Sequence, residues 1–100
     1  MKKIAIHTSF GGFRLTKEAI SYLKKLGVNL KNDYDYDKLP RDDKNLIITI
    51  EDLKEDASDD GDIRIIEIPD DVDWFIEDYD GAEWVSEVHQ TWRYEEEKIY

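Results

Sequence analysis

One stretch, residues 62–92, constrains the fold more than any other part of the sequence. It opens with a run of isoleucines that Pro69 ends, because proline cannot donate a hydrogen bond to a β-ladder. Apolar and polar residues then alternate over residues 72–79, the period of two that is typical of a strand. Asp80-Gly81 follows, a favoured pair for a two-residue type I′ turn, since both central residues need positive φ. The pattern predicts a β-hairpin with strands at 72–79 and 82–88 beside a buried isoleucine-rich strand.

A helix competes with the second strand of this hairpin. Four apolar residues in the region also recur at helical spacing, namely Trp84, Val85, Val88 and Trp92. Residues 83–92 therefore remain open between a strand and a helix. We expect the tryptophans at 74, 84 and 92 to fill or border the core.

The first half of the chain predicts a strand followed by a helix. Residues 3–10 alternate in the manner of a strand, and Gly11-Gly12 ends it. Thr16 is a good N-cap for the following helix, and Leu15 and Ile20 occupy the hydrophobic-staple positions around it. Gly27 is placed to stop this helix as its C′ residue.

A second helix is predicted after Pro40, with Asp42 or Asp43 as its N-cap. Its apolar residues are Leu46, Ile47, Ile50, Leu53 and Ala57. Residues 28–39, which join the helices, alternate Asp and Tyr and fit either a short edge strand or a loop. The element order is then β-α-α-β-β-β, a single α+β domain over residues 1–100. We expect two helices on one face of a small mixed β-sheet, a C-terminal β-hairpin, and fraying at residues 94–100.

Two motifs lie near opposite ends of the sequence. The first is EIPDDVDWFIEDYDG at residues 67–81, followed by Glu83 and by His89-x-x-Trp92. The second is FGGFRLT at residues 10–16. Both resemble motifs of a group of small phage and prophage proteins, in which the second reads YGGFxLS, with tyrosine where this chain has Phe10. The resemblance is thin across residues 27–62. It implies phage origin and a fold, and no particular reaction.

Charge divides the chain into two unequal halves. Residues 1–50 carry a net charge of +4 and residues 51–100 a net charge of −15, within a total of −11. A field of this sign repels nucleic acid and membrane surfaces and attracts a basic protein. Acidic surfaces also confer plain solubility, which is the competing interpretation.

The chain contains no cysteine, which excludes disulfides, thiolate metal sites and a cysteine nucleophile. The apolar stretch after Lys2-Lys3 is too short and polar for a signal peptide or a membrane span. We therefore expect a protein of the host-cell cytoplasm.

Residues 56–67 have the oxygen spacing of an EF-hand calcium loop. The candidate ligands are Asp56, Ser58, Asp60, Asp62 and Glu67. Two features argue against a calcium site: the exiting segment is isoleucine-rich instead of helical, and Arg64 adds positive charge beside the proposed ion. The competing interpretation is a helix stop followed by a strand.

The Gly11-Gly12 pair suggests a second type of site. It lies between a strand and a helix, where free N–H groups favour anions, and Arg14 and Arg41 are candidates to bind a phosphorylated small molecule such as a nucleotide. A tight turn that needs positive φ explains the same glycines without a ligand.

No nucleophile–base motif or Walker sequence is present, and we predict that the protein is not an enzyme and needs no cofactor. His7 and His89 are expected to be structural. The functional expectation is a small acidic phage accessory protein that binds and inhibits a host protein with a basic surface. Its target would be a defence or nucleic-acid enzyme, as with anti-CRISPR proteins, and the oligomeric state stays open. The candidate partner-binding residues lie along the hairpin: Asp70, Asp71, Asp73, Phe75, Glu77, Asp78, Tyr79, Asp80, Glu83, Trp84 and Glu87.

Overall fold

A computed structural model describes residues 1–87 of the chain. Predictions that concern Val88, His89, Trp92 and residues 94–100 lie outside the described residues. In the described range the helices and strands are β1 (Lys2–His7), α1 (Lys17–Lys25), α2 (Lys44–Leu53), β2 (Ile63–Ile68), β3 (Trp74–Tyr79) and β4 (Ala82–Glu87). The α+β class, the β-α-α-β-β-β order and the C-terminal hairpin are thereby confirmed.

The helix ends follow the predicted capping signals. Thr16 accepts a hydrogen bond from the Ala19 N–H at 3.2 Å, and Gly27 has the positive φ (98°) of a C′ residue. Asp43, rather than Asp42, caps α2. Short 3₁₀ helices follow at Asp35–Lys38 and Lys54–Ala57. The first replaces the proposed edge strand, and the second takes over the last turn of the predicted second helix.

The four strands form two separate antiparallel sheets, β1–β2 and β3–β4, instead of one continuous sheet. The β1–β2 sheet carries apolar side chains on both faces, so each face has to be covered by another part of the chain. The hairpin therefore packs on top of this sheet instead of extending it. A turn closed by the Val72 N–H and the Pro69 carbonyl (3.4 Å) follows β2, and the hairpin covers one face. The helices cover the other.

The β1–β2 sheet is consequently the middle layer of three. On the helical side Ala5 and Ile63 belong to the main core with Leu23, Leu46 and Ile50 of the helices. On the hairpin side the sheet contributes Ile4, Ile6, Ile66 and Ile68, which pack against Trp74, Ile76 and Val85. None of the helices in the described part of the chain has the length and apolar character needed to cross a bilayer.

The hairpin turn lies at Asp80-Gly81 as predicted, with φ of 53° and 93° at the two residues. Residues 83–87 are part of β4, so the helical alternative is wrong for them. The turn also packs closely against the glycine pair that follows β1. The Gly11 N–H donates to the Asp80 carbonyl at 3.0 Å, and a Cβ on Gly81 would lie 2.8 Å from the Gly11 nitrogen and closer still to that of Gly12.

Replacing Gly81 with Ala tests this close approach. Gly27→Ala is a matched control because Gly27 has a similar φ (98°) and open space around its Cβ position. We expect Gly27→Ala to cost about 1 kcal/mol of unfolding free energy from backbone strain. Gly81→Ala should cost about 2 kcal/mol more, since the turn must also move away from Gly11-Gly12. Urea denaturation measures both, and equal losses would contradict the close packing of the turn.

Candidate functional site

The hairpin presents two chemically different faces, because side chains of a strand alternate between them. The inner face carries Trp74, Ile76 and Val85 against the β1–β2 sheet, and Glu83 lies on the same side. The outer face consists of the alternate residues Phe75, Glu77, Tyr79, Ala82, Trp84 and Ser86. The inner face explains how the hairpin is held, and the outer face is available for binding.

Glu83 is the main polar attachment of the inner face. Its carboxylate accepts two hydrogen bonds from the Arg41 guanidinium, at 2.6 and 2.9 Å, and one from the His7 backbone N–H at 2.8 Å. Burial raises the pKa of Glu83, but the Arg41 guanidinium and the His7 N–H outweigh it and hold the pKa below its ordinary value. The side chain is only 8% exposed. Glu83 therefore cannot serve as the partner-binding carboxylate that we predicted, since it is used inside the fold.

Arg41 also does not lie where the ligand-binding hypothesis requires it. Besides Glu83, its guanidinium donates to the Ala5 carbonyl at 3.2 Å and stacks over the Phe13 ring, 3.9 Å from the centroid. Its backbone carbonyl accepts the Ala5 N–H at 2.9 Å. Together with Glu83, these groups satisfy the edge of β1 that does not face β2.

His7 is buried beside this attachment and has partners for both ring nitrogens. Nε2 lies 2.7 Å from the Asp60 carboxylate, and Nδ1 lies 3.2 Å from the Gly81 carbonyl. Both partners are acceptors, so the geometry favours the imidazolium, in which both ring nitrogens donate. Burial by itself lowers the pKa of His7, but hydrogen bonds to Asp60 and Gly81 outweigh it and raise the pKa above its ordinary value. This geometry fits the predicted structural role of His7.

The carboxylate of Asp60 is partly exposed and is held in place by several donors. Its Oδ1 accepts from the Ser58 hydroxyl and the Asp62 N–H, both at 3.1 Å, and its Oδ2 faces His7. Burial would raise the pKa of Asp60, but these donors lower it to about 2. Glu67, the last residue of the proposed calcium loop, lies in β2 opposite Lys3. The loop therefore has a strand where an EF-hand has a helix, and Asp60 is committed to protein donors.

A cavity of about 200 Å³ lies beside the His7–Asp60 pair. It is lined by His7, Gly11, Gly12, Arg14, Asp59 and Asp60. Two carboxylates therefore share the space with Arg14, which is unfavourable for a phosphate. At the N-terminus of α1 the Ala19 N–H donates to the Thr16 hydroxyl, and the Thr16 N–H and hydroxyl donate to the carbonyls of Ala57 and Asp56. The Gly11 N–H supports the hairpin turn by donating to the Asp80 carbonyl, and Gly12 lies close beside Gly81.

The outer face is unusual for its exposed aromatic rings. Phe75 is 38% exposed, Trp84 46% and Tyr79 67%. Phe10, which sequence analysis did not select, is 66% exposed and meets Tyr79 edge to face with 6.4 Å between ring centroids. Only the folded chain brings Phe10 to this face, as it follows β1 and depends on the docking of the turn.

Glu77 lies among these rings and is directly opposite Trp84 in the strand register. Its Oε2 accepts hydrogen bonds from the Trp84 indole N–H, at 3.1 Å, and from the Ser86 hydroxyl. Ser86 was also absent from the predicted set. Glu77 thus lies exposed on the outer face, and its orientation comes from cross-strand neighbours.

Five further predicted residues are exposed aspartates around the hairpin: Asp70, Asp71, Asp73, Asp78 and Asp80. Asp70 pairs with the N-terminal amine at 3.3 Å. Glu87, the remaining member, is half-buried at the end of β4. The fold therefore places the exposed rings and Glu77 on the outer face of the hairpin, whereas the register pairs Asp78 with Glu83 on the other side.

Comparison with protein-family models, with curated proteins and with solved structures finds no match for this chain.

The protonated state of His7 predicts how stability changes with pH. A raised pKa in the folded state means that the stabilisation from His7 is complete below the unfolded pKa, about 6.5, and is lost as pH rises through the folded pKa. The urea midpoint should therefore fall above about pH 6.5. Asp60→Asn should shrink this fall, because the carboxylate that favours the imidazolium is gone. If the urea midpoint of Asp60→Asn fell with pH as much as that of the wild type, Asp60 would not be the group that raises the pKa of His7.

Removing Arg41 should cost more than removing an exposed cation. Arg41→Gln leaves the Glu83 carboxylate with little solvent and no cation, and should reduce the unfolding free energy by about 2–3 kcal/mol. Lys3→Gln, which breaks the exposed pair with Glu51, should cost less than about 0.5 kcal/mol. The double variant Arg41→Gln/Glu83→Gln should recover part of the loss. Chemical denaturation at pH 7 compares the unfolding free energies of the variants. If the double variant lost as much as the Arg41→Gln and Glu83→Gln single variants together, the two side chains would not be coupled.

Proposed function

We propose that this chain is a small protein-binding module whose outer hairpin face binds a partner with a basic surface. The observation that carries the proposal is the set of exposed rings of Phe75, Tyr79 and Trp84 on one face, with Phe10 beside them. Large rings exposed together are costly to leave in water and are typical anchors of protein interfaces.

The charge around these rings defines the kind of partner. Asp71, Asp73, Asp78 and Asp80 are exposed on the same hairpin and its approach, within a half of the chain that carries −15. Such a surface repels nucleic acid and accelerates association with a basic protein. An acidic face of this kind would compete for the groove in which a nucleic-acid enzyme holds its substrate.

The resemblance to phage proteins supports a bacterial host protein as the target, and inhibition of a defence or nucleic-acid enzyme as the result. The charge supports the same choice, since such enzymes have basic substrate grooves. Nucleotide binding at Gly11-Gly12 has less support. Arg41 is bound to Glu83, and the neighbouring cavity contains Asp59 and Asp60.

Site-specific photocrosslinking tests the proposal. A photoreactive residue at position 75 or 79 should capture a defined protein from a bacterial host lysate. The same residue at position 21, an exposed site on α1, should not. Capture from both surfaces, or from α1 alone, would contradict binding through the outer face.

Charge reversal on the purified complex gives the quantitative test. Asp71→Lys/Asp78→Lys should weaken binding about tenfold or more, and more at low salt than at high salt. The control Glu18→Lys/Asp37→Lys makes the same change in net charge at exposed positions away from the hairpin and should cost less than about twofold. Equal effects from the two pairs would show that only net charge matters.

A further inference from the structure

We infer that Glu77, Trp84 and Phe75 form a seat for one arginine side chain of the partner. The inference rests on the proposed function and deepens it by naming the chemical group that the outer face recognises. Two observations support it. The Glu77 carboxylate lies among aromatic rings, and on the inner side of the fold a second glutamate and a ring already hold an arginine.

The register places the three side chains together. Glu77 and Trp84 are directly opposite each other in the β3–β4 ladder, and Phe75 is two residues from Glu77 on the same face. Opposite side chains in an antiparallel pair are about 5 Å apart at Cβ, and neighbours along one face about 7 Å. A planar cation of arginine size can therefore contact the carboxylate and a ring at once.

The carboxylate of Glu77 is held in place before any partner arrives. Both of its hydrogen bonds within the described residues, from the Trp84 indole and the Ser86 hydroxyl, go to Oε2. An ionised carboxylate has about four acceptor positions, so capacity remains on Oε1. Because the donors already fix its direction, less conformational entropy is lost when a cation binds.

The inner side of the fold contains a completed version of this arrangement. There the Arg41 guanidinium is bound by the Glu83 carboxylate at 2.6 and 2.9 Å and lies 3.9 Å from the centroid of the Phe13 ring. Glu77 has an adjacent aromatic ring in the same way, but it forms no ion pair with any residue in the 1–87 range. The outer face thus has the carboxylate and the rings, and the partner would supply the cation.

Arginine fits this site better than lysine does. A guanidinium is planar, stacks on aromatic faces and donates in parallel to a carboxylate, whereas an ammonium is a compact and strongly hydrated charge. A divalent metal is a poor alternative, because it needs several oxygen ligands and the neighbours of Glu77 here are rings and a hydroxyl. The surrounding aspartates add attraction without setting this geometry.

The test uses the full chain and three capped tripeptides, acetyl-Gly-Xaa-Gly-amide, with arginine, lysine or citrulline at Xaa. Citrulline has nearly the shape of arginine and no charge. The readout is the indole ¹⁵N–¹H signal of Trp84, which donates to Glu77, and the indole of Trp74 on the inner face is the internal control. The arginine peptide should shift the Trp84 signal saturably in the millimolar range, more strongly than lysine, with no saturable shift from citrulline.

Two matched variants locate the effect on the protein. Glu77→Gln should weaken binding of the arginine peptide about tenfold, and Asp78→Asn, the same charge change one residue away, less than about twofold. Equal weakening by both would assign binding to the general acidic field and overturn the seat. Equal shifts from arginine and citrulline in the wild-type chain would also overturn it, and this comparison needs no variant to fold.

The two proposals fail separately. If photocrosslinking from position 75 persists while the arginine peptide leaves Trp84 unchanged, the protein-binding function stands and the arginine seat is wrong. If the peptide binds through Glu77 but no protein is captured, the seat is supported and the protein-binding proposal is wrong.

Discussion

The Glu83 carboxylate connects three parts of the chain that are far apart in sequence. It accepts hydrogen bonds from the β1 backbone at His7 and from the Arg41 side chain, and Arg41 in turn bonds both the N–H and the carbonyl of Ala5. A two-stranded hairpin is marginally stable alone, so its position depends on this attachment and on its apolar inner face. The same groups close the free edge of β1, which would otherwise present unpaired N–H groups.

The exposed outer face of the hairpin follows from that attachment. Once Glu83 and the apolar side chains point inward, strand alternation directs Phe75, Glu77, Tyr79 and Trp84 outward. The sheet of β1 and β2 needs only one face of the hairpin to cover it, and the other face remains exposed. The rings on that face are therefore not required to fill the core. A role in recognition is the physical explanation that we favour for them.

Local signals predicted the elements well and the site only in part. The Thr16 cap, the Gly27 stop and the Asp80-Gly81 turn depend on groups a few residues apart, so the sequence contains the whole interaction. The residues predicted to bind a partner include rings that the fold leaves exposed, but also Glu83, which the fold buries. The register of the hairpin puts Glu83 on the face of Val85 and Glu77 on the other, but the cation that holds Glu83 inside the fold is Arg41, forty-two residues away.

The sequence by itself determined the α+β class, the order of elements, the hairpin with its turn and the acidic character of the second half. Periodicity, capping and turn geometry depend on residues that are close in sequence. The acidic character is the sum of the charges of the residues. Only the tertiary structure decided that the strands form two stacked sheets, that His7 is buried between the Asp60 carboxylate and the Gly81 carbonyl, and that Phe10 joins the outer face. Each of these depends on which face of one element covers another, a choice made by burial and long-range hydrogen bonding across the whole chain.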